Sequence, residues 1–588
     1  MIRTNLVLLA AVLAGGAGGN GLAAQRPNVL LIVTDDQGYW DTGWSGNEHI
    51  DTPVLDGLAQ EGVAFTRFYV AAVCAPTRAG LMTGRHYLRT GLYNTRFGGD
   101  TLGKDEITLA ELLRQAGYRT GLFGKWHLGR YAGYRPHERG FDEFLGHYHG
   151  HIERYEYADQ LVHNGRPVQT RGYVTDLFTD AAMEFIETSG CRPFFCYVAY
   201  NAPHSPFVLD TSHDQQPAGD ALIDKYLQRG LPLRDARIYG MVERIDQNLG
   251  RLLERLAELD LAENTVIFFM SDNGGVSRGF KAGLRGFKAS VYEGGVRSPL
   301  FVRWPDRFAA EATVDAQTSH IDLLPTVCEL AGVPLPQDRP IDGRSLVPLL
   351  EAGGGEATQP YVYHTWDRFF PNADERWAIS DGRWKLLRQA GTLGLFDLHE
   401  DPGETRNVAD RHPDRVCELR AEFVRWFQEV TDGQDYRPVP IPVGDPREPS
   451  VEIQPSWASL QGETVAYVFR GYDWDSIESW RQSGESAAWR LDVRHPGRYE
   501  VTISYGCAGR QSGGVLRLAA GRPGANDQVS TSVEFLPERT PAADVFVTRT
   551  LGVLDLHQGP VELKAQVLQT RGGELMRLNR LWLTRLAD

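Results

Sequence analysis

Asn28-Val-Leu-Leu-Ile-Val-Thr34 runs directly into Asp35-Asp36-Gln37-Gly38, and this junction decides the fold. A continuous apolar, β-rich run without polar alternation fits a strand buried on both faces, as in a parallel sheet between helices. Two adjacent carboxylates at the end of such a strand are costly unless a cation sits between them. A second run, Asn264-Thr-Val-Ile-Phe-Phe-Met270, ends the same way in Ser271-Asp272-Asn273-Gly274-Gly275. Oxygen ligands converging from two strand ends suit a hard cation such as calcium or magnesium. One such strand end alone would favour an Asp that merely caps a turn or the next helix; two of them favour the cation.

Two further apolar runs end in chemistry-bearing residues. Tyr118–Gly124 leads into Lys125-Trp126-His127, and Pro193–Ala199 leads into Asn201-Ala202-Pro203-His204. Open α/β sheets collect ligands at the carboxyl ends of their strands, so four strands deliver Asp-Asp, Lys-x-His, Pro-His and Asp-Asn to one edge. Helices separate them. Thr52-Pro53 opens one that Gly62 closes, and Thr108-x-x-Glu111 is a capping box with Gly117 as stop. Asp235 to Leu261 carries one apolar face through Ile238, Met241, Val242, Ile245, Leu249 and Leu252. Strands alternating with helices imply an α/β sheet covered on both faces.

Between the first strand and Lys125 stands Val73-Cys74-Ala75-Pro76-Thr77-Arg78, followed by Thr83-Gly84-Arg85. Cysteine, proline, arginine and Thr-Gly-Arg at these offsets resemble the activation motif of the formylglycine-dependent sulfatases, of the alkaline phosphatase superfamily. Met82 stands where that family usually has Leu. Gly124-Lys125-Trp126-His127, Ala202-Pro203-His204 and Lys288 followed by Glu293-Gly294-Gly295-Val296-Arg297 match further family motifs, and the resemblance spans roughly residues 27 to 435. It implies that Cys74 is oxidised to formylglycine, whose hydrate attacks sulfur, and that Asp35, Asp36, Asp272, Asn273 and the residue at Cys74 surround one divalent cation, usually calcium. By the same resemblance Arg78 holds the diol, Lys125 and Lys288 bind sulfate, His204 with Lys288 protonates the departing alcohol, and His127 deprotonates the second hydroxyl. Glu293, its glycines and Arg297 are expected to brace the loop. A formylglycine-generating or radical maturase is the implied partner. In charge terms, Asp35, Asp36 and Asp272 bring three negatives, and a divalent ion with Arg78, Lys125 and Lys288 brings five positives, a local excess of about two.

The chain has 588 residues, too many for one core. Its formal net charge of -15 gives no bulk attraction to nucleic acid or to an anionic membrane, so attraction for an anionic substrate must be local. Arg3, the apolar run Leu6 to Ala14 and the small residues Gly21 to Ala24 read as a signal peptide over residues 1–24, implying a periplasmic or secreted protein. No other stretch is long and apolar enough to span a bilayer. Six cysteines are too sparse for a disulfide scaffold, pairing is undecided, and Cys191 and Cys196 are expected as buried thiols.

The fold expected is thus an alkaline-phosphatase-like α/β core with a central, mostly parallel sheet over residues 25–355, a smaller α+β subdomain over 356–436, a Pro-rich linker over 437–450, and a β-sandwich over 451–588 built of short alternating strands, Asp544–Thr548 among them. The sandwich resembles a carbohydrate-binding module, with a plain packing domain as the alternative. Trp457, Trp474 and Trp480 are its candidate sugar platforms. His147-x-His149-x-His151, with Glu153, Arg154 and Tyr155, is expected to line the substrate pocket or to form hydrogen-bonded surface, with a transition-metal site as the lesser alternative. The substrate expected is a sulfated glycan or small sulfate ester. Two other readings use the same residues: a phosphonate monoester or phosphodiester hydrolase, and a catalytically silent carbohydrate-binding protein.

Overall fold

A computed structural model describes residues 26–96, 98–156, 158–207, 221–355, 360–470, 475–508, 513–524, 529–570 and 573–587. The expected signal peptide and Trp474 lie outside the described residues. No helix among them is long and apolar enough to cross a membrane.

The chain is mixed α/β. Asn28–Thr34 sits in the middle of an 11-stranded sheet, parallel to Phe194–Ala199 on one side and to Thr265–Ser271 on the other. Its alternate residues enter different cores: Val29, Leu31 and Val33 join one hydrophobic cluster, Leu30 and Ile32 the other. Burial on both faces explains the absence of polar alternation. Arg119–Lys125 continues the parallel order beyond Phe194–Ala199, while Arg297–Arg303 runs antiparallel beside Thr265–Ser271. The capping box at Thr108 is complete in both directions. Pro53 does open a helix, but it ends at Gln60, before Gly62. The long amphipathic helix runs Leu233–Glu258, and its apolar face covers the second cluster.

After the core comes an antiparallel four-stranded sheet, Val362–Thr365, Trp377–Ser380, Trp384–Gln389 and Thr392–Asp397, closed by the helix Pro413–Thr431. The last part is a pair of six-stranded sheets packed face to face. Trp489, Leu491 and Leu516 of one sheet meet Tyr499, Val501 and Leu581 of the other in a single core.

Four expectations change. Ile441–Val443, inside the expected linker, is a strand paired in parallel with Leu491–Val493, because Pro442 is tolerated on a sheet edge. The strand expected at Asp544–Thr548 lies at Val547–Leu556, where the polar Thr548-Arg549-Thr550 and Gly552 hid the pattern. Trp457 and Trp480 are buried, Trp480 donating its indole N–H to the Ile477 carbonyl at 2.8 Å, so neither is a sugar platform. Cys191 is exposed, because it lies in the turn ahead of the strand that buries Cys196; all six cysteines are free thiols.

The sandwich docks on the core. Tyr131 and Tyr134 enter its hydrophobic cluster, Tyr131 donates its hydroxyl to the Glu452 carbonyl at 2.9 Å, and its ring meets Trp457 edge-on at 4.8 Å. Arg135–Glu448 at 2.6 Å and Arg447–Glu138 at 3.0 Å tie the rim.

Candidate active site

The register of the sheet builds the site. Thr34 pairs with Ser271, so Asp35 and Asp36 leave the sheet level with Asp272 and Asn273. Gly124 pairs with Ala199, which brings Lys125 and the segment leading to His204 to the same edge. Asp35, Asp272 and Cys74 offer ligand atoms within 4.8 Å of one another, as do Asp35, Asp36 and His204. Asp36 holds a left-handed backbone, φ 71. Its backbone N–H points at Asp272 Oδ1 at 3.4 Å, and Asn273 Nδ2 donates to Asp36 Oδ1 at 2.9 Å.

This donor set fits a hard cation. Asp35 Oδ1 and Asn273 Oδ1 are buried and have no hydrogen-bond partner. Buried acceptors are otherwise almost always satisfied. The crowding of carboxylates says the same: burial and then Asp35 push Asp272 up to about 6, and burial also raises Asp35. Asp36 is the exception: burial pushes it up, but Lys288 and His204 outweigh that and hold it low. A divalent ion bound here would stabilise all three anions at once.

The three cations are already committed around this cluster. Lys125 Nζ donates to Asp35 Oδ2 at 2.6 Å and is fully buried. Lys288 Nζ donates to Asp36 Oδ1 at 2.5 Å and is 21% exposed, facing the cleft. Arg78 gives Nε and Nη2 to Asp272 Oδ2 at 3.0 and 2.8 Å, and Nη1 to the Lys125 carbonyl at 2.9 Å. Its guanidinium therefore fixes Asp272 and the Lys125 strand end. Cys74 begins the helix Cys74–Thr83, every residue of which is buried. Burial raises the Cys74 thiol, with Lys125 and Lys288 pulling the other way, so the unmodified side chain is a protonated thiol at neutral pH.

The histidines are sorted by their hydrogen bonds. His127, at φ 59, gives Nε2–H to the Thr95 carbonyl at 3.0 Å, which leaves Nδ1 as a buried acceptor without a partner. Burial and Lys125 keep this ring neutral. His204 gives Nδ1–H to the Ser205 carbonyl at 2.8 Å, and its Nε2 lies 3.8 Å from Asp36 Oδ2. Burial lowers His204 to about 4, against the pull of Asp36. The expected histidine triplet is split, since its strand ends at His147 and the chain then turns. His147 Nε2 bonds Asn201 Oδ1 at 2.5 Å, His149 lines a cavity beside Arg130 that it shares with His151, and His151 also lines the cleft over Cys74 and meets the His204 ring edge-on at 5.4 Å. The triplet is not among the metal-capable groups of the described residues.

The loop carrying Lys288 is braced through Glu293 and Arg297, joined by Lys385 and Tyr69, which no motif marked. Glu293 accepts from Lys385 Nζ at 2.8 Å and the Tyr69 hydroxyl at 3.0 Å, and pairs with Arg297 at 2.9 Å. Gly150 was also missed: a Cβ there would lie 2.3 Å from His127 Cε1, so only glycine admits the ring. A cavity of about 320 Å³ opens over Cys74, His127, His204 and Lys288. Its outer wall includes Trp366, Arg368 and Phe369 from the four-stranded-sheet region and Tyr467 and Phe469 from the sandwich. No motif marked these wall residues.

The sequence matches the Sulfatase family over residues 27–333 and the family described as N-sulphoglucosamine sulphohydrolase, C-terminal, over residues 286–429. It is 35% identical to N-acetylgalactosamine-6-sulfatase of Mus musculus over 370 residues, 56% of this chain and 67% of that protein. It is 32% identical to steryl-sulfatase of Homo sapiens over 469 residues, 64% of this chain and 79% of that protein. Among solved structures, Ps i-CgsB in complex with k-i-k-neocarrahexaose superposes with a TM-score of 0.63 at 30% identity, covering 70% of this chain and 95% of that one. Both family matches end before residue 430, ahead of the sandwich.

Proposed function

This chain belongs to the sulfatase family and is a sulfuric ester hydrolase, and we propose that it desulfates a carbohydrate using formylglycine made from Cys74 and one calcium ion. The observation that carries this reading is the pair of unpartnered buried oxygens, Asp35 Oδ1 and Asn273 Oδ1, together with the grouping of Asp35, Asp272 and Cys74 ligand atoms within 4.8 Å of one another. Asp35, Asp36, Asp272 and Asn273 would hold the ion, which would supply Lewis-acid stabilisation of the sulfate oxygens. Formylglycine would supply a hydrated aldehyde in place of the thiol.

The remaining roles belong to this chain's side chains. Lys125 and Lys288 bind the sulfate oxygens, exchanging part of their contact with Asp35 and Asp36 for the incoming anion. Arg78 keeps Asp272 oriented. His127 takes a proton at Nδ1, the acceptor left bare by the Thr95 contact. His204 lines the cleft with Lys288 beside it; the negative charge of a bound sulfate ester favours its protonated form, from which Nε2 donates to the leaving oxygen. The names of the relatives, including N-acetylgalactosamine-6-sulfatase, support a sugar sulfate as substrate. Export through residues 1–24 and activation by a maturase belong to the same proposal.

The test is to weigh the peptide containing residue 74 after co-expression with a formylglycine-generating enzyme. Conversion lowers its mass by about eighteen units relative to cysteine. Cys74→Ala should fold and show no turnover of N-acetylgalactosamine 6-sulfate or 4-nitrophenyl sulfate. Full activity in that variant refutes the mechanism.

A further inference from the structure

The cleft over Cys74 is not closed by the catalytic core alone. Phe469 is 47% exposed and Phe369 60% exposed, and both line the cavity that holds Cys74 and Lys288. Scattered apolar residues on a surface need no explanation, but two phenylalanines flanking a cationic cleft form a patch of the kind that binds ligands. Phe469 is also held in place. The guanidinium of Arg96, from the core, lies 3.8 Å over its ring. The Tyr467 hydroxyl donates to Asp475, whose other oxygen accepts from the Arg470 N–H at 2.8 Å, so the chain on both sides of Phe469 is tied to one carboxylate.

The Arg96 loop is in turn seated on the sandwich. Gly98, at φ 71, lies so close to it that a Cβ would meet Pro438 at 2.6 Å and Trp457 at 3.0 Å. The same loop presents the Thr95 carbonyl to His127. From these contacts we infer that the C-terminal sandwich forms part of the substrate site: Phe469 is an aromatic platform for the ring that carries the sulfate. A pyranose or aryl ring offers a flat C–H or π face to such a platform, while its sulfate reaches Lys125 and Lys288 below. A cavity of about 320 Å³ is at the small end of the roughly 300–1,000 Å³ typical of ligand sites, which fits a chain end or a small ester. This inference rests on the sulfatase reading above and adds the part of the molecule that recognises the leaving group.

The test compares wild type, Phe469→Ala and Phe469→Tyr, each carrying formylglycine. KM and kcat are measured with N-acetylgalactosamine 6-sulfate, and Ki with inorganic sulfate. The sugar sulfate is also titrated calorimetrically. Phe469→Ala should raise KM about tenfold with kcat within about twofold, Phe469→Tyr should match wild type, and the Ki of inorganic sulfate should stay within about twofold. An unchanged KM in Phe469→Ala overturns the platform and leaves the sulfatase reading intact. A parallel rise in KM and Ki also overturns it, because Phe469 then supports the sulfate site. If wild type turns over no sulfate ester, the proposed function fails. The platform then stands on tenfold weaker sugar-sulfate binding by Phe469→Ala, and falls if the two bind equally or not at all.

Discussion

Lys385→Met probes how the Lys288 loop is held. Lys385 Nζ lies between Glu293 at 2.8 Å and Glu404 at 3.0 Å, with all three side chains buried. The two carboxylates share one ammonium unequally. Burial pushes Glu404 up to about 7, whereas at Glu293 burial is outweighed by Lys385 and Arg297 and the carboxyl falls to about 2. That asymmetry is physically sound, since Glu293 also has Arg297 and the Tyr69 hydroxyl. Removing one partner of a buried ion pair costs about 3–5 kcal/mol. With an unfolding entropy of ~2.1 cal/mol/K per residue over roughly 400 residues of the catalytic part, this is a fall in midpoint of about 4–6 °C.

The cost depends on pH. A carboxyl whose folded pKa exceeds its unfolded value contributes stability that is complete below the unfolded value and is lost as pH rises through the folded one. Without Lys385, the folded pKa of Glu404 rises further, and protonation softens the loss in mildly acidic solution. The lower end of the range is therefore expected near pH 6 and the upper end near pH 9. Scanning calorimetry at both values is the assay, and kcat/KM should fall with stability because Lys288 shares the loop. A shift below about 1 °C at both values, or one that shrinks as pH rises, refutes the reasoning.

Three further outcomes are expected. Gly150→Ala places a methyl 2.3 Å from His127 Cε1 and forces the ring off the Thr95 carbonyl, so kcat should drop about 10²-fold or more in steady-state kinetics. Removing divalent ions with a chelator should abolish turnover and lower the melting midpoint, and calcium should restore both, with about 2.7 kcal/mol of stabilisation at a hundred times Kd; a chelator without effect on either removes the cation from the reading. Acid should destabilise through buried neutral histidines. Burial lowers His320 to about 4, and a histidine with depressed folded pKa loses stability as pH falls from its unfolded value near 6.5, here on the order of 2–3 kcal/mol by pH 4.5. Denaturant unfolding of His320→Gln should show a flatter pH slope over that window, and an identical slope counts against it.

Local chemistry made much of this molecule legible from its sequence. The unbroken apolar run before Asp35 determined a strand buried on both faces, and the register of that strand carries Asp35 to the level of Asp272. The capping box at Thr108 depends on residues three apart, and the motif from Cys74 to Arg85 on a contiguous stretch. Such features are readable because their partners are close in the chain or repeat with the period of the element. The tertiary structure alone decided the rest, because it depends on groups far apart in sequence. Lys385 reaches Glu293 across 92 positions, and Arg78 reaches Asp272 across 194. Which nitrogen of His127 remains an acceptor is set by the Thr95 carbonyl on a distant loop, and that loop is seated by Pro438, ahead of the sandwich, and by Trp457 within it. The histidine triplet shares a parity in sequence but parts where its strand stops, and Phe469 reaches the cleft only because a third layer of the molecule packs beside the first. Sequence pattern marked the candidate side chains; the packing of separate parts decided which of their buried atoms, such as His127 Nδ1, are left without a hydrogen-bond partner.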